Sequence, residues 1–232
     1  MRVWDINPGY LNRQSLLGEH RELHGIVSII RHNKKGYSKH PETLRWTGYG
    51  WALKQRHNLL VAEMSLRGYK DRSPVLLRSN PGIWPKVYID PPATQLSILA
   101  EKYRSLQPGR IPLPKNTQQL WAQHKYSVMA RDITAYKSIG KKASSKNGSK
   151  TTHDVALELS TLLKKPPKKR LIKNTLLHMW GYVSQYKAIS GKELAALSTK
   201  NLLKIIQQSA LDNNVKYLLE STSLSELNAW KL

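Results

Sequence analysis

The sequence predicts an all-α fold of two helical domains joined by a Pro-rich linker, and three observations lead there. Apolar residues recur at helical spacing through most of the chain, with caps and breakers at the ends of the runs. At 232 residues there is material for two separate cores. Between the halves stands Pro108-Gly-Arg-Ile-Pro-Leu-Pro114, a stretch suited to a linker. The predicted division is a domain over 1–107, a linker over 108–116 and a second domain over 117–232.

Asn7-Pro8 opens the first helix, Asn as N-cap and Pro at the first helical position, and Leu16, Leu17, Leu23, Ile26, Val27 and Ile30 carry it to about Arg31. After a basic turn at Asn33-Lys-Lys-Gly36, a second helix is predicted from Thr43 to Leu66, closed by Gly68. Residues 72–92 hold Ser73-Pro74, Asn80-Pro81-Gly82, Trp84-Pro85 and Pro91-Pro92, which predicts an extended connection. Ala93 to Leu106 forms a third helix. Beyond the linker, Thr117 to Ala130, Asp154 to Leu163, Lys168 to Tyr186 and shorter segments between Lys192 and Glu220 show helical period. Lys141 to Lys150, polar and lysine-rich, reads as a mobile basic loop.

Composition narrows the function. The formal net charge of +23 points to a polyanion, nucleic acid first, because each Lys or Arg beside a phosphate displaces a condensed counterion. Eleven Arg lie in residues 1–115 and two in 116–232, so bidentate recognition belongs to the first half and a lysine-based electrostatic grip to the second, aided by Lys164-Lys-Pro-Pro-Lys-Lys-Arg170. The absence of cysteine excludes a disulfide framework, a thiolate nucleophile and the Cys-ligated metal sites. No stretch approaches a membrane span and no apolar leader follows the basic start, which leads to the expectation of a cytoplasmic, nucleoid-associated protein. The chain has no Phe, so Trp, Tyr, Leu and Ile must fill the cores.

The first helix also holds the chemistry. At 100° per residue Leu16, Leu23, Val27 and Ile30 form the buried face, and Ser15, Gly18, Glu22 and Gly25 share another. A mid-helix glycine costs about 1 kcal/mol relative to alanine, so the space beside Glu22 has a use, either a close helix contact or an approaching ligand backbone. His20 and His24, at i and i+4, have the spacing of a metal pair, but no third ligand is evident and no metal is assigned.

Met1-Arg2-Val3-Trp4, Arg13-Gln14 through Leu23, and Trp46 with Leu53, Arg56, Glu63, Met64, Arg67, Gly68 and Tyr69 together resemble the pyrimidine-dimer DNA glycosylase family of endonuclease V type, over roughly residues 1–106. The resemblance implies an all-α, cofactor-independent repair enzyme acting on double-stranded DNA with damaged pyrimidines. In that family a terminal α-amine attacks C1′ of the damaged nucleotide, and a helix-borne Glu helps resolve the resulting Schiff base. By position Met1 and Glu22 take those roles with Arg21 beside them, and the bulk of Arg2 predicts that Met1 is retained. An α-amine, less basic than a lysine amine, keeps a larger neutral fraction near neutral pH. The DNA-contacting set predicted with them is Arg2, Gln14, His20, His24, Arg56 and Lys86.

Ser15 stands where the best-known form of the family has histidine, and Gly25 where it has a second arginine, so the choice of lesion stays open. Trp84-Pro-Lys-Val-Tyr88 reads either as a source of stacking aromatics or as a lid over the core. In the second half, Leu120-Trp121, His124-Lys125-Tyr126, Met129-Ala130, Asn174 to His178 and Gly181-Tyr182 resemble the YbgA-like domain family, whose function is not established. His124, Asn174 and His178 read as a buried polar network or a small site where helices meet. The alternatives to the glycosylase–lyase are a basic DNA- or RNA-binding protein without catalysis and a glycosylase for another lesion.

Overall fold

The computed structural model describes residues 1–144 and 152–230, and among these there are helices and turns but no strand. The chain divides into two compact units, Met1–Gly109 and Arg110–Leu232.

In the first unit a 3-10 turn, Pro8–Tyr10, precedes helix α1, Arg13–His32. The two do not fuse into the single predicted helix. The Asn7 side chain accepts from Gly9 N–H, Leu11 is extended at φ −78° and ψ 131°, and Asn12 starts again by capping Ser15 N–H at 2.9 Å. Asn33, left-handed at φ 48°, ends α1.

The predicted helix Thr43–Leu66 is likewise two: α2, Pro41–Trp46, and α3, Gly50–Leu66. Between them Gly48 sits at φ +86°, a conformation a side chain strains to adopt. Gly68, at φ +84°, closes α3 as predicted, with its N–H on the Ser65 carbonyl and that of Tyr69 on the Met64 carbonyl. Helix α4 covers Pro92–Lys102, because Tyr103 to Leu106 fold back in turns.

Leu16, Leu23 and Ile26 of α1, Trp46, Leu53 and Leu60 of α2 and α3, and Leu99 of α4 form the core. The buried stripe of α1 is rotated from the predicted one. Val27 and Ile30 are half-buried, and Glu19 lies inside. Residues 69–91 form no helix and turn at Pro81–Gly82, as their breakers require. From that segment Trp84 meets Trp46 and Trp51 edge to face, at centroid distances of 6.4 and 6.0 Å, which makes it a lid rather than a free stacking platform.

In the second unit α5, Thr117–Met129, packs on α6, Ile133–Ser144, and on α7, Thr152–Leu163; α8, Lys169–Trp180, packs on α10, Thr199–Asp212. Short helices α9, Gly191–Ala196, α11, Lys216–Leu219, and α12, Ser223–Glu226, complete it. Helix α6 was not predicted, although Asp132 caps it through Ala135 N–H at 2.9 Å and Ile133, Tyr136, Ile139 and Ala143 follow at helical spacing. Residues 141–144 of the predicted basic loop therefore belong to α6, and the rest of that stretch lies outside the described residues. Helix α8 stops at Trp180, short of the predicted Tyr186, and a separate 3-10 turn covers Ser184–Tyr186.

His124 is buried, its Nδ1 2.9 Å from the Leu120 carbonyl, but Asn174 and His178 are exposed, so the three form no buried network. A buried pair, Arg131 with Glu226 at 2.8 Å, ties the start of α6 to the end of α12. No helix among the described residues is long and apolar enough to cross a membrane.

Candidate active site

The first residues run along α1 in the opposite direction to it. Glu19 accepts the Trp4 N–H at 3.1 Å, Glu22 accepts the Arg2 N–H at 2.5 Å, and the Met1 sulfur lies 3.9 Å from where a Cβ on residue 25 would stand. Two carboxylates one helical turn apart thus take up alternate N–H groups of the first residues, which fixes their register on the helix. The nearer to the start of the chain is Glu22, bound to the first backbone N–H after the α-amine.

Beneath this segment lies a pair that sequence reasoning read differently. Arg56 was predicted to touch DNA; it is 3% exposed, and its Nε and Nη2 donate to the two Glu19 oxygens at 2.7 Å each while Nη1 donates to the Ile6 carbonyl at 2.7 Å. A guanidinium with three bonds made inside the core cannot also reach a phosphate. Burial pushes the Glu19 carboxyl above its ordinary value and the Arg56 charge opposes that shift. Together they hold residues 4 to 6 on α1 and α3.

Arg2 adds a second anchor. Its guanidinium pairs with Asp90 and lies 4.5 Å from the centre of the Trp4 ring. Gln95 of α4 holds both sides of that anchor, donating to Asp5 at 2.9 Å and to the Asp90 carbonyl at 2.8 Å. The part of Arg2 in the site is therefore double, since its backbone meets Glu22 and its side chain binds the 69–91 segment.

Gln14, Arg21 and Lys86 are exposed, as surface contacts require. A Cβ at Gly18 would meet nothing within 4 Å, so that flank of the Glu22 face is open. Lys102 of α4, which sequence reasoning missed, donates to Ser15 Oγ at 3.0 Å on the same face. Since the two stand 87 positions apart in sequence, only folding brings that cation there.

His20 and His24 sit elsewhere. They project about 160° around α1 from Glu22, at 100° per residue, toward His57 of α3 and Asp71 beyond its end. The rings of the three histidines lie 4.7 to 5.2 Å apart, His20 Nε2 is 3.2 Å from Asp71 Oδ1, and His57 Nε2 is 3.7 Å from Oδ2. Both histidines, predicted at the DNA, join a cluster whose third and fourth polar members, not evident in the sequence, are His57 and Asp71. Burial pushes His57 down to about 4 and also lowers His24.

A family model described as pyrimidine dimer DNA glycosylase matches residues 1–77, and one described as a protein of unknown function (DUF1722) matches residues 125–227. No curated protein and no solved structure matches the chain. The chain is thus similar to the pyrimidine dimer DNA glycosylase family over residues 1–77, which include Glu22 and the segment seated on it, and to a family of unknown function over residues 125–227.

Proposed function

We propose that the N-terminal unit excises pyrimidine dimers from double-stranded DNA and cleaves the resulting abasic site, with the Met1 α-amine as nucleophile and Glu22 as the assisting carboxylate. The observation that supports this most directly is the hydrogen bond from Arg2 N–H to Glu22, which seats a helix-borne carboxylate one residue from the amine.

The amine lone pair attacks C1′, the N-glycosidic bond breaks with its electrons passing to the base, and the nitrogen gives up a proton. Breaking C1′–O4′ then leaves a protonated Schiff base, with O4′ taking a proton. Glu22 is placed to stabilise that cation and to move protons as C2′–H is lost and the 3′ phosphate departs. Water hydrolyses the remaining imine and frees the amine.

Access to C1′ requires extrusion of a base, at a cost of a few kcal/mol that a damaged pair lowers. Gln14, Arg21 and Lys86 serve as the exposed DNA contacts of the first unit. The open flank at Gly18 gives a phosphate backbone room beside Glu22. Lysines of the second unit extend the electrostatic grip.

Borohydride reduction of the untagged protein on duplex DNA with a cyclobutane thymine dimer tests the reading, beside undamaged and abasic duplexes. A covalent adduct on the dimer duplex, mapped by mass spectrometry to the Met1 amine, is the expected result. Trapping on abasic DNA alone would reduce the activity to a lyase. Absence of any adduct would leave a binding protein.

A further inference from the structure

His20, His24, His57 and Asp71 each offer one ligand atom, and these atoms all lie within 4.8 Å of one another. Three different pieces of chain supply them: one face of α1, the middle of α3, and the loop after α3. Nothing in the glycosylase chemistry uses them, because they lie on the flank of α1 away from Glu22.

Two features set the cluster apart from ordinary histidine packing. The Nε2 atoms of His24 and His57 are buried and have no hydrogen-bond partner, an expensive arrangement that one shared ion would relieve. His57 is 3% exposed. Asp71 is also held from behind, its Oδ1 accepting from Ser73 N–H at 3.1 Å and from Ser73 Oγ at 3.2 Å, which leaves Oδ2 toward His57. Support of a ligating carboxylate by such outer partners is a usual feature of metal sites.

We propose that His20, His24, His57 and Asp71 bind a divalent transition-metal ion, zinc by donor set, as a structural staple. Three imidazoles and one carboxylate complete the four-coordinate shell that zinc takes in closed sites. With bonds of about 2.0–2.1 Å, tetrahedral ligands stand about 3.3 Å apart, so the widest pair must close by up to about 1.5 Å, a side-chain movement shared between its two members. His20 and Asp71 lie at the edge of the cluster and give the ion its way in. The bound ion ties α1 and α3 to the head of the segment that ends at Asp90, the partner of Arg2. It positions that segment and takes no part in the reaction.

The test uses untagged full-length protein, stripped with a chelator and titrated with zinc sulfate against a chromophoric competitor. Cobalt(II) serves as a second probe, read by its tetrahedral visible absorption. The expected result is one zinc per chain at sub-micromolar affinity, a rise in melting temperature on adding zinc, and weakening by more than about tenfold in Asp71→Asn and His20→Gln. Both substitutions lie at the edge of the cluster, and circular dichroism checks their fold. Failure of the unsubstituted protein to compete for zinc would overturn the proposal whatever the variants do. So would zinc held equally well by the folded variants.

Discussion

Replacing Arg56 by alanine separates a contact that holds the fold from one that holds DNA. Glu19 is 2% exposed and Arg56 3%, so removing the guanidinium leaves a carboxylate inside the core with only the Trp4 N–H to satisfy it. Breaking one side of a buried pair costs about 3–5 kcal/mol, and the Ile6 carbonyl loses its donor as well. A loss of about 4 kcal/mol is a large share of the stability of a domain this size. With a urea slope of about 2 kcal/mol per molar it moves the unfolding midpoint by about 2 M.

The assay is urea unfolding of the full chain, with hydrogen exchange of peptides from residues 1–109 to assign the loss to the first unit. Glu19→Gln with Arg56→Met, which removes both charges and roughly keeps the volumes, should recover most of the stability. The reasoning is refuted if Arg56→Ala unfolds within about 0.5 kcal/mol of the parent while its DNA affinity falls with a salt slope lower by about one.

Three further outcomes follow from the same geometry. Glu22→Gln should lower single-turnover strand scission at a dimer by about 100-fold or more while changing DNA affinity less than about threefold, and unchanged scission would remove Glu22 from the mechanism. Gly18→Ala should raise stability by about 1 kcal/mol, since nothing blocks the methyl group, and yet lower dimer cleavage; a more stable and equally active variant would show that no DNA backbone approaches there. Burial holds His124 down to about 4 against an ordinary 6.5, so it is neutral in the folded chain where the unfolded chain binds a proton. Its contribution is complete above pH 6.5 and is lost as pH falls toward 4, about 3 kcal/mol in all, so second-unit stability should drop across that window and drop less in His124→Gln.

The all-α class was legible because helical period and its punctuation are local properties. Gly68 illustrates it: a glycine after a periodic run marks a C-cap, and there the chain turns left-handed. Where prediction and structure part, a local rule met a competing local bond. Asn7 and Asn12 both carry capping signals, and the pair cuts off a 3-10 turn instead of opening one long helix. Gly48 broke a helix that periodicity alone had carried through. The inward turn of Glu19 was hidden for another reason, since a carboxylate enters a core only with a partner, and its partner is 37 residues away.

The sequence by itself determined the helical class, the large excess of positive charge, and the carboxylate at Glu22 on a glycine-flanked face of the first helix. All of these follow from composition and from neighbours within a few residues. Only the tertiary structure decided that Arg56 supports the site from inside, that Arg2 N–H meets Glu22, that Lys102 stands beside Ser15, and that His20 and His24 turn away to meet His57 and Asp71. Those placements join residues 20 to 87 positions apart or gather several elements at once, and burial and packing across helices set them.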